Sequence, residues 1–241
     1  YFYRSSTSDT MRHDLKGVIV DAMSRVDLED GDCVLDIGAN DCTMISYYPE
    51  NLNRFGIEPA ENINWDHVSD TITIVNDYFS DDAIEKCNLP DKVKIFTSCA
   101  MFYDIDDPNS FVSTVKRNLH EEGTFCIQLS YLPAMLVNLN FYDICNEHLE
   151  YYSLNTLEHL MNRHDLTIYD ASENAVNGGS VRVMIVHKNR GLEKSENLVR
   201  LLEAEDEMKL DDKNTYLDFY NKIMDMKQKV KTLVESGQLG I

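Results

Sequence analysis

Glu147 and His148 form the residue pair in this sequence that is best suited to move a proton. They are adjacent in the segment FYDICNEHLEYYSL, residues 141–154. Four aromatic side chains flank the pair: Phe141, Tyr142, Tyr151 and Tyr152. An imidazole titrates near neutral pH and a carboxylate beside it favours its protonated form, so the pair is a candidate general base. The local pattern alone slightly favours another interpretation, a helix with an exposed Glu–His pair over a buried aromatic face.

A second candidate site begins in VLDIGANDCTM, residues 34–44, where an apolar run leads into a single glycine, Gly38. A dinucleotide site uses several glycines so that the backbone can approach a pyrophosphate at a helix N-terminus. Here Cys42 stands where a later glycine is expected. S-adenosyl-L-methionine (SAM) has no phosphate and needs one close backbone approach, with polar groups such as Asp36 and Asn40 near its amino-acid end. The loop therefore favours SAM.

Residues that end the following strands extend this candidate cofactor site. Glu58 closes RFGIEP, where a carboxylate can accept hydrogen bonds from both hydroxyls of a ribose. Asp77 is placed to bond an adenine amino group, and Tyr78 and Phe79 to cover the adenine face. Ser98, near the end of the fourth strand, completes the set. A turn glycine or a capping Asp77 has an ordinary structural explanation, but together, in this order, these residues favour SAM over another nucleotide.

Strands alternate with helices through the first two thirds of the chain, which predicts a parallel α/β sheet. Helices are expected over residues 13–26, 42–50 and 108–119. Buried strands are expected within residues 33–39, 54–59, 71–79, 92–102 and 125–131. The runs LTIYDAS and SVRVMIVHK, joined by ENAVNGG, predict a hairpin because Asn-Gly is a strong turn signal. A parallel sheet closed by an antiparallel C-terminal hairpin and followed by helices is the class I SAM-dependent methyltransferase arrangement, which is Rossmann-like.

The composition changes near residue 190, so we predict a methyltransferase domain over residues 1–189 and a helical extension over 190–241. Apolar residues recur every three or four positions in this extension and give a helix one apolar stripe. They are Tyr216, Phe219, Ile223, Met226, Val230 and Leu233. We expect the stripe to pack on its own domain; a contact with a further domain or with a second copy in a homodimer is the alternative.

The charge balance excludes some classes of partner. The formal net charge is −20, from 42 Asp and Glu against 22 Lys and Arg, which argues against binding a nucleic-acid backbone. No apolar run approaches the ~20 residues of a membrane span, and we do not expect the first residues to be a signal peptide. The six cysteines contain no CxxC pair, so we expect reduced thiols, a cytoplasmic protein and no metal site.

Five motifs occur in the order seen in the sugar C-methyltransferases of deoxysugar pathways, and the chain resembles that family. They are YFYRSSTSDTM, VLDIGAND, FGIEPAENI, ICNEHLEYYSL and NGGSVRV. Members have a zinc-binding N-terminal domain, a central SAM domain and a C-terminal α/β domain, and this chain is similar to the central part with the helices that lead onward. The resemblance implies flanking domains absent from this sequence and a small-molecule substrate, a nucleotide-linked sugar.

The resemblance also implies roles for individual residues. His148 is similar to the base that removes a proton from the carbon next to a keto group, and Glu147 to a residue that orients the base or contacts the sugar. The N-terminal segment is implied to lie over the methionine end of SAM and the substrate, Asn177 to face the active site, and Arg182 to fix the hairpin or reach the substrate. The implied substrate-binding residues are Tyr3, Ser5, Ser6, Cys145, Asn177 and Arg182.

Two positions depart from the family pattern and leave the methylated atom open. Cys145 stands where these enzymes have Tyr, and Asn177 where His is common. An O-methyltransferase acting on a sugar or another small polar metabolite is therefore the first alternative. A SAM-binding module that has lost catalysis and serves assembly is the second. A nicotinamide-dependent oxidoreductase ranks last, because it predicts more glycines in the first loop and no terminal hairpin.

Overall fold

Seven strands form one sheet in the computed structural model, which describes residues 4–236. Their order is β3-β2-β1-β4-β5-β7-β6, and only β7 runs antiparallel to its neighbours. The strands are β1 (Cys33–Ile37), β2 (Asn53–Ile57), β3 (Ile72–Val75), β4 (Val93–Cys99), β5 (Leu119–Ser130), β6 (Leu166–Asn174) and β7 (Ser180–His187). This topology confirms the predicted class I methyltransferase fold and its closing hairpin.

Helices cover the sheet, and most of them begin at a polar cap. Ser80, Asp107, Ser153 and Ser195 each accept a hydrogen bond from a backbone amide in the first turn of the helix that follows. The helices are α1 (Asp9–Met23), α2 (Asp81–Cys87), α3 (Pro108–Asn118), α4 (Leu132–Asn138), α5 (Leu154–Asn162), α6 (Glu196–Met208) and α7 (Lys213–Glu235). No helix of residues 4–236 is long and apolar enough to span a membrane.

The central strands are buried on both faces, which explains their continuous apolar sequence. In β1, Leu35 packs in a core with side chains of α3, α5 and α6, whereas its neighbour Val34 packs in a second core with Val18 and Ile19 of α1. Because successive side chains of a strand point to opposite faces of the sheet, the same strands contribute to both cores. Because the helices pack on the two faces of the sheet, they do not cover the ends of the strands, where a site can form.

Two predicted helices are wrong. Residues 42–50 contain only a short 3₁₀ turn, Ile45–Tyr47, because Cys42 has a left-handed φ of +62° and the amide of Thr43 donates to the Asp41 side chain. The Glu–His segment forms a 3₁₀ turn at Phe141–Asp143 and irregular chain over residues 144–153, so its preferred interpretation as a helix is also wrong.

The two C-terminal helices differ in their contact with the domain. Helix α6 buries Leu198 and Leu201 against the core, and its buried carboxylate Glu205 accepts hydrogen bonds from the Tyr131 hydroxyl and from the backbone amide of Leu154. Helix α7 has no buried residue, so the expectation that its stripe packs on the domain is wrong for residues 213–235. The boundary at residue 189 stays a prediction.

Candidate active site

A cavity of about 720 Å³ opens at the carboxyl ends of β1, β2, β4 and β5, lined by residues at and just after these ends. Carboxyl ends of parallel strands meet at one edge of a sheet, where α/β proteins place their ligand sites. Residues of both predicted sites, the cofactor site and the Glu–His segment, line this one cavity. Among them are Gly38, Glu58, Glu147 and His148.

The loop after β1 comes close to the cavity because of its backbone conformation. Gly38 has φ +73°, and a Cβ built there would lie 3.0 Å from Cγ of Met101. Asn40 is also left-handed, with φ +50°, and its amide donates to Oε2 of Glu58 at 2.8 Å. The loop therefore requires glycine at position 38 and is tied directly to the end of β2.

Glu58 is a buried carboxylate at the cavity wall, and its position is set by backbone donors. Its Oε1 accepts from the amide of Ala60 at 2.9 Å, and both oxygens retain further acceptor capacity. Among the described residues that line the cavity there is no Lys or Arg. An adenosine cofactor without phosphates, such as SAM, fits this combination, whereas a dinucleotide pyrophosphate would need a helix N-terminus after β1, where the chain forms the short 3₁₀ turn Ile45–Tyr47.

Asp36 lies beneath the loop and is almost completely buried, at 1% exposure. The Thr97 hydroxyl donates to its Oδ1 at 2.8 Å. Burial raises the pKa of Asp36 to about 8; the Thr97 hydrogen bond opposes this, and the nearby charge of Glu58 adds to it. Asp36 is therefore mostly protonated at neutral pH, an ionisation state that the sequence did not indicate.

Of the three residues predicted to contact adenine, two line the cavity. Tyr78, 76% exposed, and Phe79, whose ring lies 4.6 Å from that of Phe111, both line the cavity. Asp77 does not line it and pairs with Lys86 of α2 instead. Ser98 is fully buried away from the cavity. The side chains of Asp77 and Ser98 are therefore not part of the cavity wall. Asp77 lies beside α2, and Ser98 is enclosed within the sheet.

The N-terminal segment is attached to the loop after β1. The amide of Ser5 donates to Oδ1 of Asn40 at 3.1 Å, and the amide of Ser6 donates to Oδ2 of Asp41 at 2.9 Å. Ser5 lines the cavity and Ser6 does not. Tyr3 lies outside the described residues. The segment thus approaches the expected cofactor loop, and of its two predicted serines it is Ser5 that reaches the cavity.

Glu147 and His148 line the cavity from the irregular chain after α4. The imidazole of His148 lies 4.2 Å, between ring centroids, from the ring of Tyr103. Asn177 also lines the cavity, in the turn of the hairpin with φ +52°. Cys145 is exposed and does not line it, which corrects its prediction as a substrate contact.

Arg182 does not line the cavity and serves the hairpin instead. Its Nε donates to Oε1 of Gln128 at 3.0 Å, and one terminal nitrogen donates to the Gly17 carbonyl and to the Asp21 carboxylate of α1. It therefore joins β7, β5 and α1, which corrects its prediction as a substrate-binding residue and agrees with the other implied role, fixing the hairpin.

Sequence reasoning missed several residues of the cavity wall. Gln128 donates to Oδ2 of Asp14 at 2.6 Å, and both line the cavity, as do Tyr103 and Asp104. A polar Gln inside the apolar run FCIQLSY was a usable signal. Asp14, on a helix, and Tyr103 and Asp104, in the β4–α3 loop, belong to no sequence motif that marks a cavity residue.

Fold and site together define a SAM-dependent methyltransferase. Residues 11–171 match the family described as "Methyltransferase domain", and the chain belongs to this family. Solved structures share the fold: a SAM-dependent methyltransferase of Clostridium acetobutylicum has TM-score 0.55 at 11% identity, covering 75% of this chain and 93% of that one. The plantazolicin methyltransferase BpumL, solved with S-adenosylhomocysteine (SAH), has TM-score 0.55 at 11% identity, covering 76% and 86%.

A more particular similarity concerns methylation at carbon. Residues 175–238 match the family described as "C-methyltransferase C-terminal domain". The C-methyltransferase NovU of Streptomyces niveus is 25% identical over 185 residues, which cover 76% of this chain and 44% of NovU. The chain thus matches less than half the length of this relative.

Proposed function

We propose that this enzyme methylates a carbon next to the ketone of a sugar, with His148 as the base. The observation that carries the proposal is that Glu147 and His148 line the same cavity as Gly38 and Glu58, the residues expected to hold SAM. Similarity to a C-methyltransferase supports carbon as the acceptor.

Several residues then have defined tasks. SAM, when bound, supplies an electrophilic methyl group on a positively charged sulfur. Gly38 and Asn40 shape the loop for its amino-acid end, and Glu58 accepts from its ribose hydroxyls. His148 takes the proton from the carbon next to the ketone, and Glu147 stabilises the imidazolium that results. The walls of the cavity align donor and acceptor and exclude water.

The sugar is proposed to be nucleotide-linked, as the resemblance implies. Because no Lys or Arg is found among the described residues of the cavity wall, we expect the sugar ring rather than the diphosphate to occupy this cavity. O-methylation of a sugar hydroxyl uses the same His148 as base but needs no acidic C–H bond, and this difference provides the test.

Hydrogen exchange tests the proposed reaction directly. Nucleotide-linked keto sugars are incubated with the enzyme and SAH in D₂O, and mass spectrometry follows deuterium at the carbon next to the ketone. We expect enzyme-dependent incorporation, and with SAM a methyl group on the same carbon. Methylation of a hydroxyl without exchange would instead identify an O-methyltransferase.

The His148→Gln variant is the matched control. We expect it to lose deuterium incorporation and methyl transfer while binding SAH with unchanged affinity in calorimetry, because His148 is not among the residues proposed to hold the cofactor. Full activity in this variant would remove His148 from the mechanism.

A further inference from the structure

Tyr103, in the loop after β4, holds the chain around His148 from a different part of the fold. Its carbonyl accepts hydrogen bonds from the amides of Leu149 at 3.0 Å and Glu150 at 3.1 Å. Its ring lies 4.2 Å from the imidazole, with 46° between the ring planes. These three contacts fix the residues just after His148 and limit the rotation of its ring.

Asp104, the next residue, brings a carboxylate to the same place. It lines the cavity together with Glu147 and His148, close enough for His148 to lower its pKa and for the charge of Glu147 to raise it. The charge of His148 also acts on Asp143, where it opposes the rise in pKa that burial causes. The ring centroid of Tyr151 lies 6.3 Å from that of the His148 imidazole. Carboxylates of the β4–α3 loop and of its own segment therefore lie within electrostatic range of His148.

The cavity offers no competing cation, because neither Lys nor Arg is present in the described part of its wall. An imidazolium formed there would be attracted by each neighbouring carboxylate. In a base that takes a proton during the reaction, a fixed carboxylate both holds the imidazole ring and favours its charged form.

We propose that Asp104 acts through His148: its charge stabilises the imidazolium that forms when His148 takes the proton, whereas Tyr103 orients the ring. This inference rests on the proposed role of His148 as the base. It gives the imidazolium a second carboxylate, from outside the Glu–His motif, in addition to Glu147.

The ionisation of Asp104 agrees with this role. Partial burial raises the pKa of Asp104 to about 6, the charge of Glu147 adds to this, and His148 opposes it. Above about pH 6 the carboxylate is ionised and supports the imidazolium, whereas at lower pH it is protonated and the support is lost.

The coupling can be measured without a substrate. Carbon-13 NMR of the side-chain carboxyl groups follows the titration of Asp104, whose signal is assigned by its absence in Asp104→Asn. In His148→Gln we expect the pKa of Asp104 to rise, because the positive charge that lowers it is gone. His159→Gln, exposed on α5, should leave it unchanged. An unchanged titration of Asp104 in His148→Gln would overturn the proposal.

Kinetics of the deuterium-exchange and methylation reactions give the second test. Asp104→Asn should lower kcat about tenfold to a hundredfold, less than loss of the base itself, with unchanged SAH affinity. Asp104→Glu should recover part of kcat, and Glu85→Gln, an exposed carboxylate on α2 that does not line the cavity, should retain full kcat. Full activity of Asp104→Asn beside an inactive His148→Gln would overturn this inference alone, whereas an active His148→Gln would overturn the proposed function.

Discussion

At the scale of single residues, Gly38 meets two constraints that can be separated. Its φ of +73° is strained for any other residue, and its missing side chain allows Met101 to approach. We predict that Gly38→Ala lowers the free energy of unfolding by about 1–2 kcal/mol and also weakens SAH binding. Urea unfolding and calorimetry measure the two effects.

Gly191→Ala is the matched control for this prediction. Gly191 has φ +61°, but a Cβ there would have no heavy atom within 4 Å, leaving aside its chain neighbours. Gly191→Ala should lower the free energy of unfolding by a similar amount and leave the affinity for SAH unchanged. Equal SAH affinity in both variants would show that Gly38 acts only through backbone strain.

Asp36 makes stability depend on pH in a definite direction. Its pKa of about 8 in the folded protein lies above that of an unfolded Asp, 3.8. The folded state therefore binds the extra proton between these values, and this contribution, complete below about pH 4, is lost as the pH rises toward 8. We predict that this group lowers the free energy of unfolding by up to about 1.4 kcal/mol per pH unit in that window.

Urea unfolding of the wild type and Asp36→Asn at pH 5, 6, 7 and 8 provides the measurement. The asparagine variant keeps the shape of the side chain but cannot titrate, so its stability should fall less than that of the wild type across this range. Parallel curves for the two proteins would contradict a raised pKa of Asp36.

At the scale of elements, α6 belongs to the core and α7 does not. Leu201 of α6 is 2% exposed, whereas Leu233 of α7 is 42% exposed. We predict that Leu201→Ala lowers the free energy of unfolding by about 2–5 kcal/mol and that the same change at Leu233 alters it by less than about 0.5 kcal/mol. Urea unfolding of the two variants checks this, and a large loss at Leu233 would show that α7 packs on the domain in solution.

At the scale of the whole molecule, the predicted boundary at residue 189 can be tested by truncation. Removal of α6 would expose the core around Leu198 and leave the amide at the start of α5 without Glu205, whereas removal of α7 exposes no buried side chain. We predict that a chain ending at residue 212 unfolds cooperatively and binds SAH, and that one ending at residue 189 is strongly destabilised. Equal stability of both chains would support the boundary at 189.

The same calorimetry tests cofactor choice for the whole chain, with NAD as the comparison. We expect saturable binding of SAH, weakened by Glu58→Ala, and no binding of NAD, because the chain between β1 and β2 forms a short 3₁₀ turn and offers a pyrophosphate no helix N-terminus. Tight binding of NAD would contradict this assignment of the cavity.

The sequence by itself determined the sheet and the residues at its functional edge. Alternation of strands and helices together with the Asn-Gly turn predicted the fold. Gly38 and Glu58 followed from their position at strand ends, since parallel strands bring these ends together. Such positions depend on patterns over a few neighbouring residues, which can be recognised in a single sequence.

Tertiary structure alone decided which of the remaining polar residues reach the cavity. Asp77 and Ser98 were predicted there and point elsewhere, whereas Asp104 and Gln128 were not predicted and line it. The Glu–His segment is held by the Tyr103 carbonyl, a contact between residues distant in sequence. Side chains in irregular chain are placed by such long-range contacts, and no local pattern encodes them.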